Sequence, residues 1–184
     1  MNHAMIDVEA LRLKQPWLAP LMEVGLVVFT DCGDIVAEIS YAIEPKLLPH
    51  WAEPDPDTVA WWNAPEQAEP WAILQARIRD DGVMPQVALH GLQEFMVKHN
   101  VGVVWFAGPT YDQVMLEAYY DHYGIERPWK YNATRDFRTI RKQFPGIWDK
   151  LNDERTGRHD AIADCEFQVS VLREISDNHG VIWL

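Results

Sequence analysis

Cysteine is scarce in this chain: Cys32 and Cys165 are the whole complement. Two thiols so far apart make neither a zinc-type spacing nor a disulfide framework, so reduced thiols in a cytoplasmic setting are expected. Long apolar runs are missing as well. No stretch approaches the roughly 18 residues a membrane helix needs. Asp7 and Glu9 interrupt the apolar stretch nearest the start, so neither a membrane partner nor a secretion leader is expected. No low-complexity tract or internal repeat is evident, which argues against solenoid architectures and linker-like segments. Basic residues are also few. Sixteen Lys/Arg against 28 Asp/Glu give a net charge of −12, which at first argues against a partner whose phosphates must be gripped by cations.

That charge is unevenly placed. Residues 127–158 hold Arg127, Lys130, Arg135, Arg138, Arg141, Lys142, Lys150, Arg155 and Arg158 against Asp136, Asp149, Asp153 and Glu154. A basic stretch on an acidic body is either a solvated helix face with a loop or a local phosphate track. The chain has 184 residues, 48% of them apolar and 24% charged. That suits a soluble globular protein with one core, and the reading is a single domain over 1–184 with no internal boundary.

The hydrophobic pattern predicts three strands first, over 3–8, 22–29 and 35–43, with Thr30-Asp-Cys-Gly-Asp34 as the turn of an antiparallel meander. A proline-rich loop follows over 45–56, then a short helix capped by Asp57-Thr58 that carries Trp61 and Trp62. Helical spacing recurs over 66–79 and 85–98, where Val87, Leu89, Leu92, Phe95 and Met96 share a face. A buried fourth strand spans 102–106, and a helix over 112–122 ends at Gly124. A short fifth strand is expected near 129–132, a helix over 135–144, irregular chain over 145–157, and a last helix over 159–176. Strands followed by alternating helix and strand predict an α/β fold with a mixed five-stranded sheet flanked by helices.

Three short segments carry reactive side chains. In Met5-Ile-Asp7-Val-Glu9, residues two apart on a strand share a face, so Asp7 and Glu9 point together. Two adjacent carboxylates repel unless a cation lies between them, and hard oxygen ligands suit Mg²⁺ or Mn²⁺. Alone, such a pair more often marks a strand running out into solvent. In Gly108-Pro-Thr-Tyr111-Asp112, a buried strand breaks and Asp112 falls in the first turn of a helix, where the helix dipole favours an acid. Many helices start with such an acid and nothing more. In His159-Asp160-Ala-Ile-Ala-Asp164, Asp160 can cap the last helix and place Asp164 one turn in. His159 stands just ahead of it, and imidazole titrates where a general base is useful. The bland alternative is a surface His–Asp pair.

In this order, strand Asp-x-Glu, then Tyr-Asp at a helix start, then His-Asp-Ala-x-x-Asp, the three segments resemble the motifs of the DEDDh superfamily of 3′→5′ exonucleases. The likeness runs from Met5 to about Arg173. Asp55-Pro-Asp57-Thr-Val-Ala-Trp61-Trp62, Gly108-Pro-Thr-Tyr-Asp112 and Arg135-Asp-Phe-Arg138-Thr139 are similar to the small phage and bacterial branch, which includes phage exodeoxyribonuclease A and the mycobacterial-type exoribonuclease. Relatives often carry threonine at Ala10, phenylalanine at Tyr111 and Gly-Asn at Phe106-Ala107.

The resemblance implies a ribonuclease H-like fold and two Mg²⁺ or Mn²⁺ ions held by Asp7, Glu9, Asp112 and Asp164, with His159 as general base. It implies hydrolysis of single-stranded nucleic acid from a free 3′ end in a bacterial or phage-infected host cytoplasm, RNA and DNA both being open, as are monomer and homodimer. Ala10 and Leu11 follow the first motif and are expected at the terminal nucleotide. Trp62 and Tyr111 are expected to stack on bases, with Trp61 in the core, and Arg141 and Lys142 to follow the incoming strand. A non-catalytic adaptor that keeps the fold and binds nucleic acid or protein is the alternative.

Overall fold

The computed structural model describes residues 1–153, 155 and 157–183. Among these, five strands form one sheet: β1 (Asn2–Ala10), β2 (Leu21–Phe29), β3 (Ile35–Ala42), β4 (Val101–Phe106) and β5 (Thr134–Asp136), in the order β3-β2-β1-β4-β5. The first three make the antiparallel meander, and β4 and β5 add in parallel beside β1. The helices are α1 (Pro56–Trp62), α2 (Ala68–Asp81), α3 (Pro85–Lys98), α4 (Asp112–Tyr123), α5 (Phe137–Gln143), α6 (Pro145–Asp153) and α7 (Ala161–His179). The mixed, helix-flanked α/β sheet expected from the sequence is therefore present. No described helix is long and apolar enough to cross a membrane.

Alternation along β1 sorts its side chains to two cores. Ala4, Ile6, Val8 and Ala10 join Val24, Leu26 and Val28 of β2 against Leu89 and Leu92 of α3 and Met115, Leu116, Tyr119 and Tyr120 of α4. Met5 faces the other way, with Val27, Phe29, Val103 and Trp105, onto Cys165, Val169, Leu172 and Ile175 of α7. Asp7 and Glu9 share the parity of Met5, so the first acidic pair is aimed at α7, the element that carries Asp164. Gly25, the β2 partner of Asp7, keeps that approach close. A Cβ there would lie 2.6 Å from the Ala161 carbonyl carbon.

Several boundaries differ from the sequence reading. Asp55, not Asp57-Thr58, caps α1: its carboxylate accepts from the Asp57 amide. The fifth strand lies at 134–136 rather than 129–132, and α5 starts only after it. The stretch 145–157, read as irregular, contains α6, whose Ile147, Trp148 and Leu151 pack on the α7 side of the sheet. Its Pro145-Gly start hid a helix whose stability comes from that packing. On α3 the buried face is Pro85, Ala88, Leu89, Leu92 and Met96, while Val87 is exposed.

Candidate active site

β1 delivers Asp7 and Glu9 at its C-terminal end, both buried although charged residues normally avoid the interior. A register shift against β2 between Glu9 and Ala10 ends the regular ladder there. β4 stops at Phe106, and the turn beginning at Gly108 brings in Asp112 at the start of α4. Gly108 donates its amide to the Asp112 carboxylate at 2.7 Å, and the Tyr111 and Asp112 amides donate to the Gly108 carbonyl. α7 completes the cluster. Asp160 caps it by accepting from the Ile162 and Ala163 amides, which places Asp164 in its first turn. One turn on, Gln168 donates its amide to Asp7 at 3.0 Å.

The electrostatics follow from burial. Removal from water pushes the Asp7 carboxyl up from 3.8 to about 6, against the Gln168 hydrogen bond and the charge of Arg155, which lower it. Glu9 is raised well above its usual range by burial and then by Asp7, Glu23 and Asp112. Asp112 is raised by burial and then by Asp7. Three acids raised by burial and by one another share one small region, a surrounding that favours a cation. Arg155 fills part of that role, pairing with Asp164 while its guanidinium lies over Phe167.

The residues present fit a divalent ion. Glu9, His159 and Asp164 each offer a ligand atom within 4.8 Å of the others. Gln168 Oε1 is buried without a hydrogen-bond partner, and the carboxylates are hard oxygen donors. His159 stands at φ 62°, a left-handed backbone unusual for a residue other than glycine. Its ring meets Trp61 and Trp62 edge-on, with centroids 4.8 and 5.9 Å away. Burial, then Arg155 and Arg158, lower its pKa, which favours the neutral imidazole.

Beside the carboxylates lies a cavity of about 500 Å³ lined in part by Glu9, Ala10, Leu13, Trp61, Tyr111 and His159. Ala10 is at its wall. Leu11 is partly buried next to it, fixed by backbone bonds to Pro20 and Asp55. Tyr111 donates its hydroxyl to the Arg12 carbonyl at 2.6 Å. Both tryptophans line this cavity, and Trp61, expected in the core, is the exposed one. Trp62 is buried, its indole N–H donating to the Ala10 carbonyl at 3.2 Å, whereas Trp61 is 42% exposed and opens onto the cavity. Helix phase decides this: adjacent residues on α1 point about 100° apart, and only one can face β1.

Arg141 and Lys142 are not brought to the carboxylates. Arg141 lies 4.0 Å over the Trp148 ring, and Lys142 is exposed on α5. Arg138 is the α5 cation whose charge reaches Asp7 and Asp112. Its guanidinium packs so close to Gly108 that a Cβ there would lie 3.0 Å from it.

Three participants escaped the sequence reading. Glu23, alone among apolar residues in β2, lies directly across from Glu9. Arg77 of α2 binds it at 2.8 Å and also binds Asp160. Gln168 follows Asp164 by four, a helical spacing that places both on one face.

No curated protein sequence matches the chain. Among solved structures, the nuclease domain of 3′hExo, a DEDDh family member bound to rAMP, superposes with a TM-score of 0.68 at 13% identity, over 99% of this chain and 94% of that one. Exonuclease I of E. coli in complex with a dT13 oligonucleotide gives 0.69 at 12% identity, over 95% of this chain and 41% of that one. This chain thus spans about two fifths of exonuclease I, and what the two share is the ribonuclease H-like exonuclease fold. A family profile, 3′-5′ exoribonuclease Rv2179c-like domain, matches residues 2–176, nearly the whole chain, and the protein belongs to that family.

Proposed function

We propose that the protein is a metal-dependent 3′→5′ exonuclease that removes nucleoside 5′-monophosphates from single-stranded nucleic acid, with RNA as its first substrate by virtue of its family. The observation that carries this reading is the grouping of Glu9, His159 and Asp164, with Asp7 and Asp112 beside them, next to a cavity of about 500 Å³. Asp7, Glu9 and Asp164 would hold one Mg²⁺ or Mn²⁺, and Asp7 with Asp112 a second. Bound ions would supply a hydroxide-like nucleophile and relieve charge on the leaving oxygen. His159 accepts the proton of the attacking water at its ring nitrogen.

The chain's own residues do the positioning. The cavity lined by Ala10, Trp61 and Tyr111 takes the terminal nucleotide, and the open Trp61 ring offers a stacking face that does not select among bases. Gln168 orients Asp7 through its hydrogen bond. Arg138 sits at the edge nearest Asp112, where a backbone phosphate would meet it.

The test is digestion of matched 5′-end-labelled RNA and DNA, single- and double-stranded, with Mg²⁺, Mn²⁺ or EDTA. Stepwise shortening from the 3′ end, resistance of circles and 3′-phosphorylated ends, and silence in EDTA are expected. Cutting of circles would make the protein an endonuclease. A folded protein with neither activity nor thermal stabilisation by Mn²⁺ would be a non-catalytic adaptor.

A further inference from the structure

Four side-chain oxygens and one guanidinium, none of them assigned to metal or substrate, meet behind the reactive cluster. Glu23 is 1% exposed and stands directly opposite Glu9 across the β1–β2 ladder. Like charges facing each other there are unfavourable, and an unpaired buried carboxylate is more so. Arg77, reaching over from α2, resolves both: one guanidinium nitrogen lies 2.8 Å from Glu23 Oε1 and another 2.5 Å from Asp160 Oδ2. The remaining oxygens are also used. Glu23 Oε2 accepts from the Ala161 amide at 3.3 Å, and Asp160 Oδ1 accepts from the Ile162 and Ala163 amides at 3.1 and 3.0 Å.

We infer that Arg77 is a positioning residue, which through Glu23 and Asp160 clamps the N-terminus of α7 to β2 and so sets His159 and Asp164 against the β1 carboxylates. The reach is short. His159 immediately precedes Asp160, and the Asp164 amide donates to the Asp160 carbonyl at 2.8 Å. Beside this clamp, Gly25 packs closely on Ala161 and its carbonyl accepts from the Cys165 thiol at 3.6 Å, contacts that carry no charge. His159 also holds a left-handed backbone that its neighbours must enforce. Arg77 touches neither the nucleic-acid cavity nor the reactive carboxylates. Its charge keeps Glu23 out of the ligand set, and its second bond fixes the helix start.

The inference rests on the reading of His159 and Asp164 as catalytic. The test therefore pairs Arg77→Met/Glu23→Gln with Asp160→Asn and Asp164→Asn. The double variant removes the buried charge together with its partner, which relieves the folding penalty but leaves the helix end untied. Asp160→Asn keeps a good cap and turns an NH₂ toward Arg77. For both, kcat on a saturating oligonucleotide is expected to fall about tenfold to a hundredfold, as for a loosened supporting residue. KM should stay within about threefold, because the cavity walls of α1 and β1 are untouched. Mn²⁺ affinity by calorimetry should weaken about tenfold or more, while far-UV circular dichroism remains that of the wild type. Wild-type kcat and Mn²⁺ affinity in either folded variant would overturn the clamp. Asp164→Asn separates the two ideas: if it keeps activity and Mn²⁺ binding, the site reading fails. If it loses both while the clamp variants keep both, only the clamp fails.

Discussion

Asp7→Asn should make the metal-free protein more stable, and by an amount that depends on pH. The Asp7 carboxyl titrates near 3.8 when free and at about 6 in the fold. A group that binds its proton more tightly in the folded state stabilises that state below the free value. The contribution is lost as pH rises from about 4 through about 6. The shift of about two units corresponds to about 3 kcal/mol for this fully buried group. Asparagine never ionises, keeps the side-chain volume, and can still accept from Gln168 through Oδ1. In EDTA the two proteins should therefore melt together near pH 4 and diverge up to pH 8. There the variant should melt about 6–12 °C higher, at about 2–4 °C per kcal/mol for a chain of this size. Saturating Mn²⁺ should reverse the order. At a thousand times its dissociation constant an ion adds about 4.1 kcal/mol to the protein that binds it, more than the about 3 kcal/mol gained by the variant, which has lost a ligand. Thermal unfolding followed by tryptophan fluorescence over pH 4–8 measures all of this. Parallel melting curves in EDTA would mean that Asp7 is not held uncompensated, and the argument for a required cation would fall.

The other expectations concern single roles. His159→Ala should slow turnover by roughly 10²–10⁴-fold with Mn²⁺ affinity within a few-fold of wild type, measured by single-turnover digestion and calorimetry. An unchanged rate at pH 7 would leave it a wall of the cavity. Trp61→Ala should raise KM by roughly fivefold to a hundredfold, the loss of one stacked base at about 1–3 kcal/mol, with the melting temperature held. Trp62→Ala should instead cost about 3–5 kcal/mol of stability, seen in urea unfolding. Equal effects of the two would refute their division of labour. Arg138→Gln should flatten the slope of log affinity against log salt by about 0.7, one phosphate contact on a single strand. It should do so more than Arg141→Ala with Lys142→Ala, and the opposite ranking would move the strand path along α5.

The residues proposed for the site were legible as candidates because their spacing is local. Asp7 and Glu9 share a strand face by parity, Asp112 follows a glycine-proline break, and Asp160 caps the helix that carries Asp164. Each of these relations is fixed by backbone geometry within a few residues. The mixed sheet was legible for the same reason, since apolar alternation and turn residues report on a strand's own faces. The tertiary structure decided what depends on distant partners. Trp61 and Trp62 are indistinguishable in sequence, and only the docking of α1 on β1 buries one and opens the other. α6 was hidden because packing against the α7 side, not propensity, makes it a helix. The basic stretch held nine candidates. The fold brings Arg155 to Asp164 and, on α5, Arg138 to Gly108, while Arg141 lies over Trp148. The bond from Arg77 to Asp160, 83 positions along the chain, has no local signature at all. Burial makes Glu23 demand a cation, and only the folded chain shows which one answers.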